Sequence, residues 1–297
     1  MKRYVTLMAL TLLALLILAL TAAGAVKIII RSNANSQTTS DVLLKESKTG
    51  RITKFLTIND VYRQHYHAAE YHNGHLYVII RPGGVSNFEK KQNRPNELWR
   101  YDQNGKGTKL WPSDLRDFRI RDDEGLIAVI SSSQRNESNP SPTLYLLGPD
   151  GKLKKAFPYK EPVWKDIAFE IWAGRYLWLN EYETVDIHSF FRIDTKTMAA
   201  HKYDISHLNL TCEDYDLNTA SLLLAYSDYP PMFDAEDYRE FKSRRTPVKL
   251  YVYDLGTKRR RFIARAVAES FSPKWVDAVT LEYKNPRGAG RIRKRIR

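Results

Sequence analysis

"LWRYDQNGK" at 98–106, "LYLLGPDGK" at 144–152, "FFRIDTKTM" at 190–198 and "LYVYDLGTK" at 250–258 are four versions of one phrase in a chain of 297 residues. Each is a run of apolar and aromatic residues suited to a β-strand, then a turn of Asp, Asn, Gly or Thr, then a basic strand. Leu98, Leu144 and Phe190 stand 46 residues apart, and an insertion delays the fourth copy. A second signature precedes every copy, a tight turn entering an apolar strand. It reads "HNGHLYVII" at 72–80, "DEGLIAVIS" at 123–131, "AGRYLWLNE" at 173–181 and "NTASLLLAY" at 218–226, with a fifth, "WVDAVTLEY", at 275–283.

One unit is therefore strand, tight turn, strand, longer loop, strand, tight turn, strand. Four strands in ~45 residues is the period of a β-propeller blade. The expected fold is all-β, a propeller of five four-stranded blades. The fifth unit runs out after Tyr283, with only "KNPRGAGRIRKRIR" beyond it, whereas "LLKESKTGRITKFLT" at 43–57 reads as two strands in search of a blade. Pairing of that N-terminal segment into the C-terminal blade would close the ring and remove open sheet edges.

"FSPKW" at 271–275 and "GPDGK" at 148–152 resemble the strand-turn phrases of the TolB-like (PD40/WD40-like) exported propellers. The resemblance covers 50–297 as a pattern. It implies a propeller in a periplasmic or cell-surface setting, and it carries no catalytic residues. The "FSP" phrase occurs in one copy only, and the repeat points to five blades.

The chain opens on Met1, Lys2 and Arg3, followed by an uncharged run from Tyr4 to Val26. Basic residues ahead of a long apolar stretch direct export, with the charged end left in the cytoplasm. The run approaches the ~20 residues that span a bilayer, which favours a single-pass anchor in the cell membrane. Ala23-Gly24-Ala25 offers the alternative of cleavage after Ala25 and secretion. The expected organisation is an N-terminal signal-anchor helix or signal peptide over 1–31, a polar tether over 32–48 and the propeller over 49–297.

A single cysteine, Cys212, excludes an intrachain disulfide, so stability rests on the apolar core. The formal charge of +13, or +11 without Lys2 and Arg3, suits lipid head groups, an anionic glycan or an acidic protein partner. Export argues against nucleic acid.

Four of the seven histidines fall at 65, 67, 72 and 75. Asn73-Gly74 predicts a type I′ turn with His72 and His75 as a cross-strand pair. His65 and His67 lie side by side on the incoming strand. At ~3.3 Å per residue the two pairs are more than ~15 Å apart, and either alone falls short of the three or four ligands of a zinc site. No metal is expected. No glycine-rich phosphate loop, His-Glu-x-x-His or Gly-x-Ser-x-Gly motif implies a cofactor or a nucleophile. Cys212, beside Glu213 and Asp214, has acidic neighbours that raise its pKa.

The long loops 82–96, 132–142 and 228–247 connect second to third strands and leave one face, where binding residues gather. In the last of them Asp234 is placed to cap a short helix ending near Arg245. Arg81, Glu181, Tyr226, Asp228 and Lys284 end the second strands at that face and are the candidate ligand-binding residues. Glu70, Glu170, Asp214 and Glu269 fall on the innermost strands. Carboxylates around a five-bladed channel resemble those of five-bladed glycan-cleaving enzymes, in which two carboxyl groups flank the scissile bond. Those four are the candidate catalytic residues if the protein is an enzyme.

Two basic runs, Lys258–Arg261 and "RIRKRIR" at 291–297, read as charged outer strands that resist pairing with other chains, or as contacts to an anionic surface. The expected function is a membrane-tethered binding or scaffold module for an anionic ligand or protein partner. A glycan-active hydrolase is the alternative.

Overall fold

In the computed structural model of the chain the described residues are 26–32, 39–59, 69–82, 96–111, 115–121, 125–132, 142–158, 166–232 and 234–296. The apolar run ahead of Val26, His65, His67 and most of the loops 82–96 and 132–142 lie outside them, and so does the expected N-terminal helix. Among the described residues no helix is long and apolar enough to cross a membrane.

The chain divides into two compact units. The first starts with β1 (Val26–Ser32), β2 (Thr39–Glu46) and β3 (Ile52–Asn59), which form a three-stranded antiparallel sheet. Two four-stranded meanders follow. One runs β4 (Ala69–His72), β5 (His75–Ile80), β6 (Glu97–Tyr101), β7 (Gly107–Trp111); the other runs β8 (Leu115–Ile120), β9 (Ile127–Ser132), β10 (Pro142–Leu147), β11 (Leu153–Pro158).

The second unit holds three more sheets. The first is β12 (Asp166–Ala173), β13 (Tyr176–Glu183), β14 (Asp186–Asp194) and β15 (Ala199–Asp204), with β16 (Leu210–Thr211) added against β14. The second is β17 (Tyr215–Asn218), β18 (Leu223–Ser227), β19 (Pro247–Asp254) and β20 (Arg260–Val267). The third is β21 (Lys274–Trp275), β22 (Thr280–Lys284) and β23 (Arg291–Arg295).

The continuous apolar runs follow from burial on both faces. Successive side chains of a strand point to opposite sides. In β5, Leu76, Val78 and Ile80 pack with Val42 and Ile58 of the preceding sheet, while Tyr77 and Ile79 pack with Leu115, Phe118 and Val129 of the following one. The same division recurs in β18, where Leu224 and Tyr226 join Trp178 and Phe190 and Ala225 joins Leu281 and Tyr283. A polar residue at any of these positions would face a neighbouring sheet rather than water.

The repeated aspartate works as a turn-former. Asp102 Oδ1 accepts from the N–H groups of Asn104 and Lys106, both at 2.9 Å. Asp194 Oδ1 accepts from Lys196 N–H at 3.0 Å, and Asp254 Oδ1 from Gly256 and Thr257 N–H at 2.8 and 2.9 Å. Such Asx geometry bends the chain and satisfies turn donors without a neighbouring strand. Asn73 and Gly74 adopt φ of 47° and 78°, the expected I′ conformation, and His72 faces His75 across the ladder. Helix α1 (Ala235–Ser243) forms within the insertion, with Asp234 accepting from Glu236 and Asp237 N–H at 2.7 and 2.8 Å.

Two expectations need correction. Residues 43–57 do not complete the C-terminal sheet: β2 pairs with β1 and β3, and β22 pairs with β21 and β23. The described residues therefore form six sheets rather than five. Val26–Ser32 and Thr39–Glu46, read as the end of the anchor and the tether, are paired strands. Val42 of β2 is fully buried, and Ile28 and Ile30 of β1 pack against the same cluster. The apolar run upstream conceals the start of the first strand, because hydropathy does not change where one ends and the other begins.

Candidate functional site

The first strands of adjacent sheets lie side by side, β4 next to β8 and β17 next to β21. Of the candidate carboxylates, Glu70 lies on β4, Glu170 on β12 and Asp214 immediately ahead of β17, and these three fasten one sheet to the next. Glu269, expected on an innermost strand, lies instead in the connection between β20 and β21. In the first unit, Glu70 Oε2 of β4 accepts from Ile120 N–H of β8 at 3.1 Å. In the second, Asp214 immediately precedes β17 and Tyr215 and Asp216 open it, with the phenol directed differently from the two carboxylates. The two carboxylates serve the 271–275 segment and the phenol serves β12.

Asp214 is buried and accepts from Ser227 Oγ at 2.5 Å, Phe271 N–H at 2.8 Å and Ser272 N–H at 2.6 Å. Asp216 accepts from Trp275 N–H at 2.5 Å, and its carbonyl accepts from Trp275 Nε1 at 3.1 Å. The "FSPKW" phrase is thus the receiving side of a carboxylate clamp. Asp216 was not among the sequence candidates. Its spacing of two from Asp214 was the signal available, since it places both carboxylates on one face.

Glu170 of β12 differs from the others. Its Oε2 accepts from Tyr215 Oη at 2.7 Å and from Asn180 Nδ2 at 3.0 Å. Burial pushes the Glu170 carboxyl above the usual range, and the charge of Asp216 adds to the effect. The Tyr215 phenol is raised as well, first by burial and then by Glu170. Among the described residues Glu170 Oε1 receives no hydrogen bond, so this carboxyl group has one oxygen free.

Glu269 lies at the surface, ion-paired with Lys242 of α1. It borders a pocket of about 470 Å³ whose lining includes Ser270, Phe271, Lys284, Asn285 and Pro286. One candidate carboxylate and one candidate ligand-binding residue, Lys284, are thereby brought together. The other strand-end residues do not join them. Arg81 Nε donates to Asn96 Oδ1 at 3.1 Å, and Asn96 Nδ2 to the Leu115 carbonyl at 3.1 Å, which ties the base of loop 82–96. Asp228 holds the base of the insertion through Lys249 N–H, at 2.5 Å. Glu181 is fully buried against Lys202 at 3.3 Å, and Tyr226 is buried between sheets.

The basic runs take the expected positions. Arg260 starts the outermost strand β20, its guanidinium 4.7 Å from the Tyr251 ring centroid. In β23, Arg291 and Arg293 both contact Glu282 at 2.8 Å, and Ile296, just beyond the strand, is buried. Among the described residues no cluster of three or more His, Cys, Asp or Glu side chains is arranged to hold a metal ion. The Cys212 thiol is raised first by burial and then by Glu213.

No family model and no curated protein matches the sequence. Among solved structures, an oligogalacturonate lyase in complex with manganese is similar over 90% of this chain and 72% of its own, with TM-score 0.53 and 14% identity. The β-propeller domain of the Trilobed protease from Pyrococcus furiosus is similar over 87% of this chain and 78% of its own, with TM-score 0.48 and 10% identity. TolB from Acinetobacter baumannii is similar over 90% and 62%, with TM-score 0.45 and 11% identity.

The fold is that of a β-propeller. At these identities the likeness concerns the fold alone, and the chemistry of this propeller rests on its own residues.

Proposed function

We propose that the chain is an exported, membrane-tethered propeller that acts as a binding and scaffold module for an anionic ligand or protein partner. The observation that carries this reading is the use of its carboxylates. Glu70 accepts a backbone N–H group from β8, Asp214 and Asp216 accept backbone N–H groups from the 271–275 segment, and Glu269, at the surface, is paired with Lys242. Carboxylates committed in this way hold a scaffold together, whereas glycoside cleavage needs two carboxyl groups facing one substrate across ~5–9 Å. The formal charge of +13 favours acidic neighbours, and the basic start of the chain followed by Tyr4–Val26 favours export with a membrane tether.

A second reading, a glycan-active enzyme, draws on Glu170. A part-buried carboxyl group with a raised pKa and one free oxygen has the character of a general acid.

One experiment separates the two. The full-length chain in detergent is passed over acidic and neutral oligosaccharides at low and high salt, with product masses recorded. Salt-sensitive retention without products is the expected result. Products that disappear in Glu170→Gln would replace the binding reading with the enzymatic one.

A further inference from the structure

We infer that the pocket beside β22 is a binding site for a small hydroxylated monocarboxylate, of the size of a single sugar acid. This rests on the proposal that the propeller binds an anionic ligand, and it names the place and the chemistry.

Three polar side chains that line the pocket, Lys284, Ser270 and Asn285, keep donor hydrogens beyond the bonds they make among the described residues. Lys284 Nζ donates to Ser270 Oγ at 3.2 Å, and among the described residues it meets no carboxylate. Because Ser270 Oγ accepts that bond, its own hydrogen is available. Asn285 Oδ1 accepts from Arg287 N–H at 3.0 Å, which fixes the amide and leaves Nδ2 as a donor. An ammonium, a hydroxyl and an amide N–H₂ together match the two oxygens of a carboxylate, which accepts up to four hydrogen bonds.

The remaining lining is apolar or small, with Ala266, Phe271, Pro286 and Gly290. Gly290 adopts φ of +94°, a conformation that a side chain would strain. At about 470 Å³ the cavity falls within the range of small-molecule sites and is too large for a bare carboxylate.

Charge decides the valence. Among the described residues Lys284 is the one cation in the lining, and Glu269, held by Lys242, stands at the rim. A second negative charge on the ligand would meet Glu269, which disfavours a phosphate dianion. A hydroxyl group at the same place finds an acceptor in the Glu269 carboxylate. A monocarboxylate carrying hydroxyls satisfies both constraints.

The test is calorimetric titration of the full-length chain in detergent with D-gluconate, D-glucose and inorganic phosphate, repeated for Lys284→Gln and Ser270→Ala. Lys284 is exposed, and its structural bond, from its backbone N–H to the Phe271 carbonyl at 2.8 Å, survives substitution. Thermal unfolding of each variant checks that it folds as the parent does. Saturable gluconate binding that weakens roughly tenfold or more in Lys284→Gln is expected, since a charge-assisted hydrogen bond contributes about 1.5–3 kcal/mol. Ser270→Ala weakens it by a smaller factor, and glucose and phosphate bind less tightly than gluconate.

Equal binding of gluconate by Lys284→Gln, or of glucose by the parent, would overturn the assignment. So would absent gluconate binding in a protein still retained by acidic oligosaccharides, while leaving the binding module in place. Absence of both overturns the two together.

Discussion

The Tyr215 hydroxyl donates to Glu170 Oε2 at 2.7 Å, joining the first strand of one sheet to the first strand of the next. It belongs to the same set of fasteners as Asp214 and Asp216, but it uses two side chains where they use a carboxylate and a backbone N–H. A pair of side chains can be removed one at a time, which makes its coupling measurable. Tyr215→Phe and Glu170→Gln should each destabilise the protein by about 1 kcal/mol at acidic pH, with a coupling of about 0.5–2 kcal/mol in the double-mutant cycle. Urea unfolding of the four proteins gives the coupling, and additive effects would show that the bond contributes nothing.

Glu170 also sets a slope of stability with pH. Its folded pKa lies above the ordinary value, chiefly through burial, so the folded state holds the proton more tightly than the unfolded state. Between the unfolded and folded pKa values, stability falls as pH rises, because ionisation is disfavoured only in the fold. Glu170→Gln has no proton to lose. The melting temperature of the parent relative to this variant should therefore rise as pH is lowered from neutrality towards ~4.3.

Asp214→Ala removes the acceptor of three donors in a buried setting, Ser227 Oγ, Phe271 N–H and Ser272 N–H. Unsatisfied buried donors are costly, and a loss of about 3–5 kcal/mol is expected, enough to threaten folding. Asp214→Asn keeps one acceptor oxygen and should fall between the two. Denaturant midpoints rank the series, and an Asp214→Ala protein of parental stability would show that the clamp carries little.

At the Asp254 turn the sign with pH is opposite. The Asp254 carboxyl is held below its usual range, first by the Thr257 N–H and also by that of Gly256. Its contribution is present above the unfolded pKa and is lost as pH falls through the folded one. Asp254→Asn should melt lower than the parent at neutral pH and converge with it in acid. Scanning calorimetry across that window tests the direction.

Glu282 neutralises part of the outer edge by contacting both Arg291 and Arg293, and Arg293 first and then Arg291 hold its carboxyl below the ordinary range. Glu282→Gln should leave thermal stability nearly unchanged, since exposed ion pairs contribute little. It should strengthen binding to vesicles containing anionic lipid, with an increase that vanishes in high salt. Unchanged vesicle binding would assign the arginines to protection of the sheet edge alone.

The strand-turn-strand units were legible in the sequence because each is a local object. Asn73-Gly74 dictates its turn, the repeated Asp dictates the next, and Asp234 dictates the start of a helix. The first strand, Val26–Ser32, was hidden because "VKIII" continues the hydropathy of the run before it. The roles of the inner carboxylates were hidden for a different reason. Glu70 and Asp214 meet their donors 50 and 57 residues further along the chain, where only the fold brings backbone N–H groups to them. An acidic residue on an inner strand looks the same in sequence whether it awaits a substrate or bonds to the adjoining sheet. Of the pocket beside β22, Lys284 and Glu269 were singled out in the sequence, while Ser270 and Asn285 carried no pattern to mark them.

The insertion between Asp228 and Lys249 is pinned at its base by two bonds, from Lys249 N–H to the Asp228 carboxylate and from Asp228 N–H to the Lys249 carbonyl. A base so pinned would let a designer exchange the whole excursion for a short hairpin without shifting the register of β18 and β19. Phe241 stands in the way, since it is buried in the same cluster as Val248 and Leu250 and rests edge-on against Tyr229. The excursion is therefore a roof as well as a loop. A graft that replaces it must bring its own large apolar side chain to that spot, or leave the outer half of the sheet uncovered.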